Sequence, residues 1–369
     1  MVDNFRNYQK ANLQLDSPSV VLTGPNGVGK TNLLEAISLL APGRGMRRAR
    51  REHLPNVNAQ SPHWAVAATV QSADGEVQIG SGVALDAAHA GRVMRLEGQT
   101  VSQTEIGCYI SVSWLAPHMD GIFVDSPSAR RRFLDRLVIA FDPAHIGRMA
   151  RYEKALRQRS ILLTEGQGDA SWLQSLEAVL AETAVAITAA RQTLIRDLNQ
   201  EAEKGWLGFP GVRLSLVGHT EQWLADMPAL QVEDKLMAAA KTARLAGDTA
   251  MAGPHASDLQ AVHLASQTPA YLASTGQQKA LLIAVVLAHA RLQERRLGKS
   301  PLMLLDDVAA YLDADRRSAL FEAVGLLGGQ CWYSGSDEQQ FDDLLGKAQF
   351  VSVRLASRSD QTPEVEVKL

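Results

Sequence analysis

The segment Gly24-Pro25-Asn26-Gly27-Val28-Gly29-Lys30-Thr31 constrains this chain more than any other, because it satisfies GxxxxGK[ST] in full. It follows the apolar run Ser19–Thr23, read as a strand, and opens a helix expected from Lys30 to about Leu40. That strand–loop–helix setting is what the motif requires. Glycines let a loop wrap phosphates with successive N–H groups turned inward, and the following helix adds the partial positive charge of its N-terminus. Lys30 is therefore expected to reach the β- and γ-phosphates of a nucleotide, and Thr31 to ligate Mg²⁺.

A second segment complements the first. Pro301-Leu302-Met303-Leu304-Leu305-Asp306-Asp307 puts four apolar residues before two acids, the pattern of a buried parallel strand that delivers carboxylates at its C-terminal edge. Asp306 is expected to hold Mg²⁺ through water and Asp307 to polarise an attacking water. Because adjacent strand residues face opposite ways, Asp307 must act from the strand end or the turn after it. Read alone, the pattern also fits a strand followed by an acidic helix cap. A third segment, Ala273-Ser274-Thr275-Gly276-Gln277-Gln278-Lys279, stands before a strongly apolar helix expected over Gly276–Leu297. A hydroxyl, a glycine and a helix start make another anion site, or an ordinary N-cap.

The 369 residues are 46% hydrophobic and 21% charged, an ordinary globular balance that exceeds one usual domain. Net charge is −3, so any nucleic-acid site must be a local basic patch. The two cysteines, Cys108 and Cys331, form neither a disulfide framework nor a CxxC pair, which fits a reducing cytosol. The opening MVDNFRNYQK lacks the apolar core of a signal peptide. The apolar run from Ala280 to Ala288 is less than half of the ~20 residues a membrane span needs. A cytoplasmic protein is expected.

Three runs follow along the chain. Residues 1–127 carry the P-loop and short strands, among them Trp64–Gln71, Val77–Leu85 and Arg92–Leu96, which read as an α/β lobe with an antiparallel element. Residues 128–207 are poor in Gly and Pro. Trp172, Leu176, Val179, Ile187, Ala190, Leu194 and Leu198 recur there at helical spacing, interrupted by Thr183. This run reads as a two-helix hairpin broken at Thr164–Asp169, or as a compact helical subdomain. Residues 208–369 return to α/β, with strands expected at Val212–Val217, Leu302–Leu305 and Gln330–Ser334. Nucleotide-binding features occur in the first and last runs only, so the helical run is an insertion into one ATPase head.

The segment around Ser274 resembles the signature motif of ABC-type ATPases, and Leu312-Asp313 resembles their D-loop. P-loop, signature, acidic strand and D-loop stand in that family's order. The resemblance narrows further. Asp3-Asn4-Phe5-Arg6-Asn7-Tyr8, Thr31-Asn32-Leu33-Leu34-Glu35-Ala36-Ile37 and Gly43-Arg44-Gly45 resemble the opening of the bacterial RecF family. Arg131-Arg132-Phe133-Leu134-Asp135, Gly253-Pro254-His255 with Asp258-Leu259, and Asp306-Asp307-Val308 resemble further RecF blocks. Ala256 stands where that family usually carries an arginine. The resemblance implies an ABC-type P-loop ATPase head of the SMC type with an inserted helical arm. It implies that Arg6, Asn7 and Asn32 join Gly24–Thr31 at ATP, and that Ser274, Gly276, Gln277 and Asp313 serve a nucleotide held by a second copy. It also implies ATP-dependent homodimerisation, DNA binding, partnership with RecR, and through RecO and RecA a role in recombinational repair and the SOS response.

Arg44, Arg47, Arg48, Arg50 and Arg51 form the basic cluster best placed to contact DNA, because they follow the P-loop helix. Arg130, Arg131 and Arg132, and the run from Arg148 to Arg159, are further clusters, although a charged helix is often only a solvated face. His145, His255, His263 and His289 lack metal-ligand spacing. Asp at 307 is one methylene shorter than the Glu usual in ABC ATPases, so slow, DNA-stimulated turnover is expected. Competing readings are a transporter ATPase subunit, an SMC-like tether and an ATP-dependent nuclease. The helical insertion and the Phe5–Tyr8 block oppose the first. A tether needs hundreds of heptad residues, and a nuclease needs an added metal-carboxylate domain.

Overall fold

The P-loop strand is flanked by parallel neighbours on both sides, which explains why Val20, Val21 and Leu22 are all fully buried. The computed structural model describes residues 1–59, 61–72, 75–83, 91–166, 169–355 and 363–367. In chain order it contains β1 (Val2–Phe5), β2 (Tyr8–Ala11), β3 (Ser19–Thr23), α1 (Lys30–Ser38), β4 (Trp64–Ser72), β5 (Gly75–Val83), β6 (Val93–Leu96), β7 (Gln99–Val101), α2 (Gln103–Ile106) and β8 (Val112–Leu115). Then come α3 (Pro127–Ile139), α4 (His145–Glu165), α5 (Ala170–Ala202), β9 (Val212–Val217), α6 (His219–Asp226), α7 (Ala229–Leu245), β10 (Asp258–His263) and β11 (Thr268–Pro269). The chain ends with α8 (Thr275–Leu297), β12 (Leu302–Asp306), α9 (Ala314–Leu326), β13 (Cys331–Gly335), β14 (Gln349–Leu355) and β15 (Pro363–Val367). Of the strand expected over Val77–Leu85, the last two residues lie outside the described residues.

Two compact units share these elements. The first comprises residues 1–120, 206–209 and 286–369. Its central sheet has the order β15-β14-β3-β13-β12-β8, parallel throughout except for β15. Only β13 separates the P-loop strand from the acidic strand, so their C-terminal ends lie about 10 Å apart on one sheet edge. A second, antiparallel sheet has the order β2-β1-β4-β5-β6-β7.

The second unit comprises residues 121–205 and 210–285. It holds three helices where two were expected over 128–203. The extra break falls at Asp142-Pro143, where proline lacks an N–H and disfavours helix in the residue before it. Helices α4 and α5 pack side by side after a turn at Gly166, which is left-handed at φ 64°. Val232 and Leu236 of α7 join Tyr152, Leu162, Leu173, Leu180 and Ile187 in one core, so the arm is the compact form of the two considered. By length and composition α5 qualifies to cross a membrane, yet Leu173, Leu176, Leu180, Ala184, Ile187, Leu194 and Leu198 are buried within this unit. Trp172, expected on that stripe, is half exposed and Leu173 takes its place.

Residues 206–209 belong to the first unit, residues 210–285 to the second, and the chain re-enters the first unit within α8. Strands β9 and β10 pair with each other and pack on α5 and α3. The Asn199 side-chain amide donates to Leu214 O and accepts from Leu214 N, both at 2.8 Å, so α5 satisfies the outer edge of β9.

Candidate nucleotide site

The turn between β1 and β2 buttresses the P-loop. Tyr8 donates its hydroxyl to Gly29 O at 3.1 Å, and Asn7 Nδ2 donates to Val28 O at 3.1 Å. Asn32 Nδ2, in the first turn of α1, donates to Asn7 Oδ1 at 2.7 Å. This approach is too close for any side chain at 29. A Cβ there would stand 2.8 Å from Asn7 Nδ2 and 2.9 Å from the Tyr8 hydroxyl, and φ is +121°. The loop tip, Pro25, Asn26 and Gly27, remains exposed, whereas Val28, Gly29 and Lys30 are buried. Lys30 Nζ donates to Gly24 O at 2.6 Å and to Pro25 O at 2.9 Å. Burial pushes its ammonium pKa down, against the opposing pull of Asp307 and Asp306. A cation paired with neutral carbonyls is available to a stronger anionic partner.

The acids stand on the same sheet edge. Thr31 Oγ1 donates to Asp306 Oδ1 at 2.9 Å, which joins the start of α1 to the end of β12. Ser334 Oγ of β13 donates to the same Oδ1 at 2.7 Å and accepts from Asp307 N at 3.0 Å. Asp307 has φ +51°, so the chain turns out of the strand after Asp306 and the second acid leaves the strand's alternation. Burial, reinforced by Asp306 and partly offset by Lys30, raises the Asp307 carboxyl above its usual range. The Thr31 hydroxyl and the Asp306 carboxylate are hard oxygen donors on one face of the loop, a set that fits Mg²⁺. Bound there, the ion would offset the charge of β- and γ-phosphate oxygens.

Three groups of expected nucleotide residues have hydrogen-bond partners of their own within the chain. Arg6 Nε and NH2 hold Glu35 of α1 at 2.9 and 2.8 Å, and its remaining nitrogen donates to His53 O at 2.7 Å. Glu35 is buried, so Arg6 ties the turn between β1 and β2 to the P-loop helix. Ser274 and Gln277 form a capping box at the start of α8. Gln277 Oε1 accepts from Ser274 N at 3.0 Å and from its hydroxyl at 3.2 Å, while Gln277 N approaches Ser274 Oγ at 3.4 Å. Gly276 between them is exposed, with open space where a Cβ would stand. Asp313 is the N-cap of α9, accepting from Arg316 N at 2.8 Å.

The structure also sorts the basic clusters. Arg44, Arg47, Arg48, Arg50 and Arg51 are exposed, and Arg47 NH1 donates to Asn32 Oδ1 at 2.9 Å, the first of three hydrogen bonds that lead through Asn7 to Val28 of the P-loop. Arg92, read from the sequence only as the start of a strand, donates to Leu39 O, Ala41 O and Gly43 O and so fixes the turn that begins this basic segment. Burial lowers its guanidinium pKa to about 10. By contrast Arg130 is held by Asp258 at 2.7 and 2.8 Å, and Arg159 is fully buried against Glu177. Neither is available to a surface ligand.

Residues 1–332 match the RecF/RecN/SMC N terminal domain family. The DNA replication and repair protein RecF of Agrobacterium fabrum is 43% identical over 356 residues, covering 95% of this chain and 94% of its own length. Its counterpart in Mesorhizobium japonicum is 42% identical with the same coverage. Among solved structures, the recombination mediator protein RecF-ATPrS of the RecFOR pathway superposes with a TM-score of 0.82 at 23% identity. That match covers 99% of this chain and 96% of the other. The Smc head domain of Pyrococcus furiosus matches with a TM-score of 0.55 at 16% identity, covering all of this chain and 94% of that one. The chain therefore belongs to the RecF family of DNA replication and repair proteins, and its fold is the ABC-type ATPase head shared with SMC proteins.

Proposed function

We propose that the chain is an ATP-switched DNA-binding protein of replication and recombinational repair. The observation that carries this reading is the convergence of Lys30, Thr31, Asp306 and Asp307 on one edge of a parallel sheet, beside a loop whose tip is exposed. In this reading Arg6, Asn7 and Gly24 to Asn32 bind ATP, with Mg²⁺ on Thr31 and Asp306, and Asn7 also supports the loop. Lys30 and Asp307 carry slow, DNA-stimulated hydrolysis to ADP and phosphate. Ser274, Gly276, Gln277 and Asp313 of one copy complete the site of a second, which makes dimerisation depend on ATP. Exposed serine, glycine and glutamine at a helix start suit an anion delivered from another molecule.

Arg44, Arg47, Arg48, Arg50 and Arg51 contact the DNA backbone at gaps or duplex junctions in the cytoplasm. RecR is the direct partner, with RecO and RecA acting downstream of it and the SOS response depending on the outcome. Size-exclusion chromatography with light scattering tests the switch. The account expects a monomer with ADP and a dimer with ATP and Mg²⁺, and Lys30→Met to abolish the difference. A mass indifferent to nucleotide overturns the reading.

A further inference from the structure

The two acids are not held by the loop or by α1 alone. They share one hydroxyl. Ser334 lies in register with Asp306 on its parallel neighbour and with Leu22 of the P-loop strand on its other side. It is 1% exposed. Its single hydrogen goes to Asp306 Oδ1 at 2.7 Å, and its lone pair receives the Asp307 N–H at 3.0 Å. The orientation of one carboxylate and the peptide that carries the other therefore depend on the same oxygen.

That peptide needs holding. Asp307 has φ +51°, a left-handed conformation that costs a residue with a Cβ roughly 1 kcal/mol and persists where the surroundings impose it. Thr31 also donates to Asp306 Oδ1, but in the proposed function its hydroxyl has a second claim on it from Mg²⁺. Ser334 has none. The residue after it is equally constrained, because a Cβ at Gly335 would stand 2.6 Å from the Phe341 ring. The rings of Phe321, Tyr333 and Phe341 lie 5.2 to 6.2 Å apart and brace this end of β13.

We infer that Ser334 is a positioning residue for ATP hydrolysis, whose hydroxyl aligns Asp306 and Asp307 with one another. The inference rests on the proposed ATPase reading of this site. Its test compares wild type with Ser334→Ala, Ser334→Cys and Ser334→Thr in the full chain with DNA present. The readouts are kcat, KM for ATP, and affinity for a fluorescent ATP analogue. Ser334→Ala and Ser334→Cys, the latter keeping the volume but donating weakly, are expected to lose about tenfold in kcat, with KM and affinity within about twofold. Ser334→Thr keeps the hydroxyl and is expected to recover most of the rate. An active wild type with an indifferent Ser334→Ala overturns this inference alone, as does a Ser334→Cys rate equal to wild type or a KM that rises with the loss in kcat. A wild type that does not hydrolyse ATP overturns both the inference and the reading beneath it.

Discussion

The nucleotide site and the helical unit treat buried charge in opposite ways. Lys30 is buried, yet its hydrogen-bond partners are the neutral carbonyls of Gly24 and Pro25. In the helical unit Asp135 accepts from Arg191 at 2.7 and 2.9 Å and pairs with His145 at 3.0 Å. Arg159 and Arg244 both meet Glu177 at 3.2 Å. There every buried charge of these two clusters faces an opposite charge, which makes the groups unavailable to a ligand and expensive to disturb. A site kept for an anion leaves its cation underpaired, whereas a scaffold cancels its charges internally.

The contrast is sharpest under substitution. Arg191→Leu leaves Asp135 buried with much of its compensation gone and is expected to lower stability by about 3–5 kcal/mol, read from denaturant unfolding. Lys30→Met removes a cation with neutral partners, so stability should change by less than about 1 kcal/mol while hydrolysis falls by roughly two orders of magnitude. Equal losses of stability in the two variants would erase the distinction. A smaller effect belongs to the buttress. Asn7→Ala breaks the link between Asn32 and Val28 O and is expected to weaken ATP binding by about 1 kcal/mol, visible in a nucleotide titration. Arg47→Ala with Arg48→Ala should reduce the slope of log affinity for DNA against log salt by about 2, with little change in fold stability.

The smallest effect is a pH dependence confined to the helical unit. Burial, with Arg131 and Arg191 nearby, lowers the His255 pKa, and its Nδ1 shares a hydrogen bond with the Tyr152 hydroxyl at 2.5 Å. A histidine depressed in the folded state contributes stability above its unfolded pKa and loses it as pH falls through the folded value. Melting temperature should thus be flat above about pH 6.5 and decline below it, and His255→Gln should flatten the decline. An unchanged slope in that variant assigns the dependence elsewhere.

What was legible in the sequence follows the same division. The P-loop and the acidic strand are short, contiguous patterns, and their contact through Thr31 and Asp306 follows from sheet geometry. The remaining features depend on partners far away in the chain. Arg6 meets Glu35, 29 residues on, a pairing that no local pattern announces. Asp135 looked like one acid of a basic block until Arg191, 56 residues away, closed on it. The placement of 210–285 depends on β9 pairing with β10, and strand partners leave no local signature. Ser334 is a lone serine in an apolar strand, and only the register of β13 against β12 gives it significance.

The central claim is that nucleotide held by Lys30 governs the grip on DNA. Fluorescence anisotropy of a labelled gapped duplex, with wild type and Lys30→Met, with and without ATP and Mg²⁺, tests it directly. The account predicts that ATP tightens binding by wild type and that Lys30→Met loses that gain while retaining the weaker nucleotide-free binding. Binding that is weak at physiological salt and unchanged by ATP in both proteins would contradict it.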